Sequence, residues 1–153
     1  MSKPIIKNLP ASIQERLSNQ ARLHDRPFNE FLQYYAIERF LYRLSQSKQA
    51  GQFVLKGALL FRVWGLPAFR PTRDIDMLGF TSNEVENLAS MIREICAQKV
   101  QDDGLIFDPQ TVISERINAD EDYSGVRIRF SGLLGKARVH LQAVSYTHLR
   151  AHE

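Results

Sequence analysis

The sequence contains very little cysteine. Cys96 is the only one among 153 residues, and it lies in a segment whose apolar residues recur at helical spacing. A single thiol cannot close a disulfide within the chain, and zinc sites built from cysteines need several of them. A disulfide-stabilised fold and a cysteine-based zinc site are therefore both excluded.

Long apolar runs are also missing. No stretch approaches the roughly 20 apolar residues of a membrane helix, and residues 1–10 lack the apolar core of a secretory signal. The sequence shows neither an internal repeat nor a low-complexity segment. We therefore expect a cytoplasmic protein that does not enter a membrane.

The composition is that of an ordinary globular domain. Hydrophobic residues make up 44% of the chain and charged residues 24%, which is enough for one packed core. Twenty basic residues against seventeen acidic ones give a formal net charge of +3. This small excess slightly favours anionic partners such as nucleotides or RNA.

The first third of the sequence predicts helices. Ile13, Leu17 and Ala21 recur every four residues, and a second apolar stripe with helical spacing runs through residues 28–44. We assign residues 1–50 to an N-terminal helical segment.

The rest of the sequence predicts one sheet with helices on its faces, an α+β fold. A third helix is expected from Thr81, because Thr81 and Glu84 have the spacing of a capping box, and a loop is expected over residues 118–125. A short helix is expected at residues 58–64. The predicted strands are residues 53–55, 72–79, 105–107, 111–117, 126–130 and 137–143.

The most informative segment is residues 53–79, in which a strand ends at Gly57, a helix follows, and a second strand contains Asp74 and Asp76. Positions two apart on a strand point to the same side, so the two carboxylates converge while Ile75 enters the core. Two carboxylates about 4 Å apart repel by roughly 4 kcal/mol at an effective dielectric constant near 20. A divalent cation removes that repulsion.

Magnesium suits this site better than zinc, because its ligands are oxygens and no cysteine or histidine is close in sequence. Gly57 would allow backbone N–H groups to approach a phosphate closely. An Asp-x-Asp pair taken alone also occurs on solvated strand edges. The ordered strand, glycine, helix and acid pair favours the metal site.

Residues 53–60 and 70–80 resemble the signature blocks of the AbiEii/AbiGii toxin family of nucleotidyltransferases. Residues 36–47 and 123–127 resemble further segments of that family, so the resemblance covers most of residues 10–142. It implies a polymerase-beta-like nucleotidyltransferase fold, a mixed sheet flanked by helices, with its core at residues 51–142. Asp74 and Asp76 match the metal-binding and catalytic acids.

The resemblance also implies an activity and partners. The enzyme would be Mg²⁺-dependent and would transfer a nucleoside monophosphate from an NTP to a hydroxyl, with RNA, especially tRNA, as acceptor and a cognate antitoxin as protein partner. Gly57 matches the turn glycine that holds the triphosphate, and Lys56 and Arg73 flank the site as phosphate contacts. Arg73 fits a solvated strand position equally well. Ala58 departs from the small polar residue or second glycine common in such turns.

In the family a third carboxylate lies late in the domain, on a strand that corresponds to residues 137–142, and two-metal phosphoryl transfer uses such a group. In this sequence, no acidic residue occurs from residue 137 onward until Glu153. Residues 145–153 resemble a translated sequencing adapter. We therefore expect residues 143–153 to be a non-native tail and the chain to be a truncated, impaired copy. His148 and His152 lie in that segment and have no third ligand near them in sequence.

Several alternatives remain open at the level of sequence. Glu115 and the acids at 120–122 are candidate substitutes for the third carboxylate or parts of a solvated surface. Arg127 and Arg129 fit an RNA backbone contact and a solvent-facing strand equally well. A catalytically inactive binding protein that engages an antitoxin, and a metal-dependent nuclease, are the alternative functions.

Overall fold

The computed structural model describes residues 8–55, 74–79, 84–120 and 123–148. Two N-terminal helices confirm the helical segment: α1 (Leu9–His24) and α2 (Phe28–Gln46). The side chain of Asn8 caps α1 by accepting a hydrogen bond from the Ala11 N–H at 3.1 Å. Asp25 ends that helix in the left-handed conformation, with φ of 52°.

Helix α3 (Val85–Cys96) begins four residues later than predicted. The capping box predicted that Glu84 is the third residue of the helix. In the structure Glu84 is the N-cap residue, and its side chain makes no capping hydrogen bond. Thr81 and the helix predicted at 58–64 lie outside the described residues. None of the described helices is long and apolar enough to cross a membrane.

Five strands form one sheet: β1 (Phe53–Leu55), β2 (Asp74–Gly79), β3 (Leu105–Asp120), β4 (Tyr123–Leu134) and β5 (Ala137–His148). Their order is β1-β2-β5-β4-β3. All neighbours are antiparallel except β2 and β5, which are parallel. The predicted α+β fold with a mixed sheet is confirmed.

The prediction of two short strands around Pro109 and of a loop over 118–125 was wrong. Residues 105–120 form a single strand that pairs with β4. Pro109 lies at a register shift in this pairing, between Asp108 and Ile113, where its missing N–H does not interrupt the strand. The hairpin continues to the pair Asp120 and Tyr123. Residues 143–148, which the sequence assigned to a non-native tail, form the second half of β5, and their non-native origin stays a prediction.

The helices and one side of the sheet share a single hydrophobic core. Phe40 of α2 lies fully buried between Phe107 and Phe130, with ring centroids 5.9 and 4.8 Å away. Ile92 of α3 and Ile128 of β4 are equally buried in the same cluster. In the described part of the chain, the opposite side of the sheet carries charged side chains such as Arg127 and Arg129, together with exposed apolar residues such as Ile113 and Leu133.

Cys96 lies in this core, at the end of α3. Burial raises the pKa of its thiol to about 12, so the sulfur stays protonated at neutral pH. A thiol in that state is a packing group rather than a nucleophile.

A buried ion pair joins α2 to the start of β3. Arg43 donates to both carboxylate oxygens of Asp103, at 2.8 and 3.0 Å, and Arg39 donates to the same carboxylate at 2.8 Å. The Tyr35 hydroxyl donates to the Asp103 carbonyl at 2.6 Å. Burial disfavours ionisation of Asp103, but the hydrogen bonds from Arg43, Arg39 and the Leu105 N–H outweigh it and lower the pKa of its carboxyl.

Replacing Asp103 by Asn is expected to lower the free energy of unfolding by about 3 kcal/mol, because it leaves the Arg43 guanidinium buried without its counter-charge. Urea unfolding at pH 7 measures this loss. Glu86→Gln is the control, since it removes an equal charge from a residue that is 83% exposed. A loss no larger than that of the control would contradict the structural role.

The same ion pair sets a pH dependence. The pKa of Asp103 is lower in the folded chain, so its stabilisation is complete above the unfolded pKa, about 3.9, and is lost as the pH falls through the folded value. In the Asp103→Asn variant, the free energy of unfolding is expected to depend less on pH in that acidic window, which urea unfolding at several pH values measures.

Candidate metal and nucleotide site

The predicted acid pair lies on one side of β2. Asp74 is half-buried and Asp76 is exposed, whereas Ile75 and Met77, which point to the opposite side, are fully buried in the core. The two-residue period of the strand therefore holds both carboxylates on the polar side of the sheet, as the sequence predicted.

Strand β1 ends beside this pair. Leu55, its last residue, is opposite Met77 in the antiparallel register, one residue from Asp76. The residues predicted to bind nucleotide, Lys56, Gly57, Ala58 and Arg73, lie outside the described residues, so their roles remain predictions.

Strand β5 lies on the other side of the pair. In the parallel register Gln142 is beside Asp74 and Val144 is beside Asp76, and partners in a ladder point to the same side of the sheet. Gln142 is half-buried and Val144 is buried. Neither position next to the pair on β5 therefore supplies a carboxylate.

The polar side continues across the sheet onto β4 and β3. Arg129 is opposite Gln142 and Arg127 is opposite Val144, and Glu115 of β3 is opposite Arg127. Arg127 Nη1 donates to Glu115 Oε1 at 3.0 Å, and Arg129 Nε donates to Gln142 Oε1 at 3.2 Å. Sequence reasoning found the two arginines by strand alternation, but it missed Gln142.

The acid pair suits a magnesium ion by its donor set. Magnesium is commonly held in proteins by one or two carboxylates together with water and substrate phosphates. Asp74 and Asp76 provide two such carboxylates on an accessible side of the sheet. Within the described ranges no group of three or more metal-binding side chains is present.

Residues 39–146 match the family described as nucleotidyl transferase AbiEii toxin, type IV TA system, which is more than half of the chain. The chain belongs to this AbiEii family. The matched region begins within α2 and includes Asp74, Asp76 and the β5 segment beside them.

A crystal structure of a candidate nucleotidyltransferase from H. pylori is similar to the chain at 14% identity with a TM-score of 0.43, over 78% of this chain and 45% of that one. The chain thus spans less than half the length of that structure. No curated protein matches the sequence.

Proposed function

We propose that this AbiEii-family chain is a nucleotidyltransferase toxin that transfers a nucleoside monophosphate from an NTP to a hydroxyl of RNA, with tRNA as the leading acceptor. The acceptor oxygen attacks the α-phosphorus, the hydroxyl proton passes to a base, and pyrophosphate leaves. The observation that supports this most is the same-side placement of Asp74 and Asp76 on β2 within the matched region.

Each proposed residue has a separate task. Asp74 and Asp76 would hold Mg²⁺, which when bound neutralises charge on the phosphates. Lys56, Gly57 and Ala58 would bind the triphosphate, with Arg73 as a further phosphate contact. Family membership supports a cognate antitoxin as protein partner. We place the reaction in the cytoplasm, because NTPs and RNA are present there.

A second candidate is a catalytically inactive binding protein of the same fold that engages an antitoxin. The β5 register favours it, because the residues beside the acid pair are Gln142 and Val144 rather than a third carboxylate. Loss of a general base typically lowers a rate by 10²- to 10⁴-fold.

One assay separates these functions. The chain is incubated with tRNA, Mg²⁺ and each of the four α-³²P-labelled NTPs, and the RNA is resolved on a denaturing gel. The proposal predicts label in RNA that has become longer by at least one nucleotide. Shortened RNA would indicate a nuclease, and unlabelled RNA of unchanged length, at long incubation and high protein, would indicate the binding protein.

A further inference from the structure

Two arginines on the polar side of the sheet converge on a single carboxylate. Glu115 Oε1 lies 3.0 Å from Arg127 Nη1 and 3.6 Å from Arg129 Nη1. The side chains are 32% exposed at Arg127, 58% at Arg129 and 49% at Glu115. An anion that reaches this group from solvent can therefore contact both guanidinium groups.

The cluster has more positive charge and more donors than Glu115 satisfies. Two guanidinium groups share one carboxylate, which leaves a local charge of about +1. Arg127 Nε is buried and has no hydrogen-bond partner among the described residues. Arginine only donates, so it is the Gln142 amide oxygen that accepts from Arg129 Nε.

The arginines lie in line with the acid pair. Asp74, Gln142 and Arg129 form one cross-strand row, and Asp76, Val144 and Arg127 form the next. In each row the acid on β2 and the arginine on β4 are two strand spacings apart, a backbone distance of about 10 Å. A substrate whose phosphate lies at the acid pair therefore has further phosphate groups within reach of the arginines.

We propose that Arg127 and Arg129 form a phosphate-binding position, and that Glu115 occupies it until a substrate phosphate displaces the carboxylate. The planar, multiply donating guanidinium suits phosphate oxygens, and a bound carboxylate marks the place that an anion takes. This inference rests on the proposed function for the identity of the substrate, either the triphosphate or the RNA backbone. Its anion chemistry does not require the metal.

The test uses the full chain in EDTA, so that metal binding at the acid pair does not contribute. Inorganic triphosphate and a single-stranded RNA oligonucleotide are titrated separately by calorimetry and fluorescence anisotropy. The variants are Arg129→Gln and Glu115→Gln. Arg138→Gln is the matched control, because Arg138 is exposed on the same side of β5, about 13 Å along the strand from Gln142.

Arg129→Gln is expected to weaken binding of at least one probe by about tenfold, the usual effect of losing a charge-assisted hydrogen bond. Glu115→Gln is expected to tighten it several-fold, because the internal competitor becomes neutral. Arg138→Gln should change it less than twofold. Effects confined to triphosphate identify the NTP as the source of the phosphate, and effects confined to RNA identify the acceptor.

Equal, small effects of all three variants on both probes would overturn the proposal and leave an ordinary surface ion pair. Weaker binding in Glu115→Gln would also overturn it, because the carboxylate would then be an aid rather than a competitor. Circular dichroism checks that each variant is folded. Failure of the nucleotidyltransferase proposal is detected separately, by RNA that stays unlabelled in the assay with labelled NTPs.

Discussion

Asp76→Asn is expected to weaken Mg²⁺-dependent NTP binding by roughly 100-fold or more, since even residues that only orient metal ligands change metal affinity by 10- to 100-fold. The amide keeps the shape of the side chain but removes the charge that a hard dication requires. Asp76 is exposed, so the substitution leaves the packing of β2 intact. Titration of each NTP with and without Mg²⁺ measures the effect.

Asp74→Asn should behave in the same way, because the two carboxylates lie on the same side of one strand. Glu86→Gln serves as the control, since it removes one negative charge from an exposed position on α3. Binding that responds equally to Asp76→Asn and to this control would refute the assignment of the acid pair.

Val144→Asp is expected to raise the rate of nucleotidyl transfer by 10²- to 10⁴-fold, the usual contribution of a general base. The register puts position 144 beside Asp76, so a carboxylate there would complete the acid group. Arg127 lies opposite the same position, and its Nε, which has no hydrogen-bond partner among the described residues, offers compensation for the new buried charge. The gel assay with labelled NTP measures the gain.

Val144→Asn is the matched control, because it has the size of Asp and lacks its charge. Gln142→Glu compares the neighbouring position, whose side-chain oxygen is already bound by Arg129. Equal rates for Val144→Asp and Val144→Asn would mean that position 144 is not where this site takes a third carboxylate.

Local patterns allowed much of the fold to be predicted. The four-residue spacing of Ile13, Leu17 and Ala21 gave α1, and the short apolar run at 53–55 gave β1. The errors in the strands came where pairing with another strand decides the structure. Pro109 predicts a break when only its sequence neighbours are considered, but β3 pairs with β4 on both sides of the proline and continues as one strand.

The same distinction applies to the candidate site. Alternation along β2 was sufficient to put Asp74 and Asp76 on one side, because both residues lie on one strand. The neighbours of that pair come from β5, more than 60 residues later in the chain, and the parallel register that brings Gln142 and Val144 beside it is a tertiary feature. No local pattern in the sequence reports such a register.

The arginines show a third case. Alternation along β4 identified Arg127 and Arg129 as side-by-side cations, but it could not separate a ligand contact from a solvated surface. Their convergence on Glu115 depends on the pairing of β4 with β3. A contact between charged side chains on different strands becomes visible only when the sheet is assembled.

The most direct test of the acid pair is a crystal structure of the chain with Mn²⁺ and a non-hydrolysable NTP. The account predicts an anomalous peak within coordination distance of carboxylate oxygens of both Asp74 and Asp76, with the triphosphate bound to the same ion. A well-ordered nucleotide and Mn²⁺ located away from these two residues would contradict it.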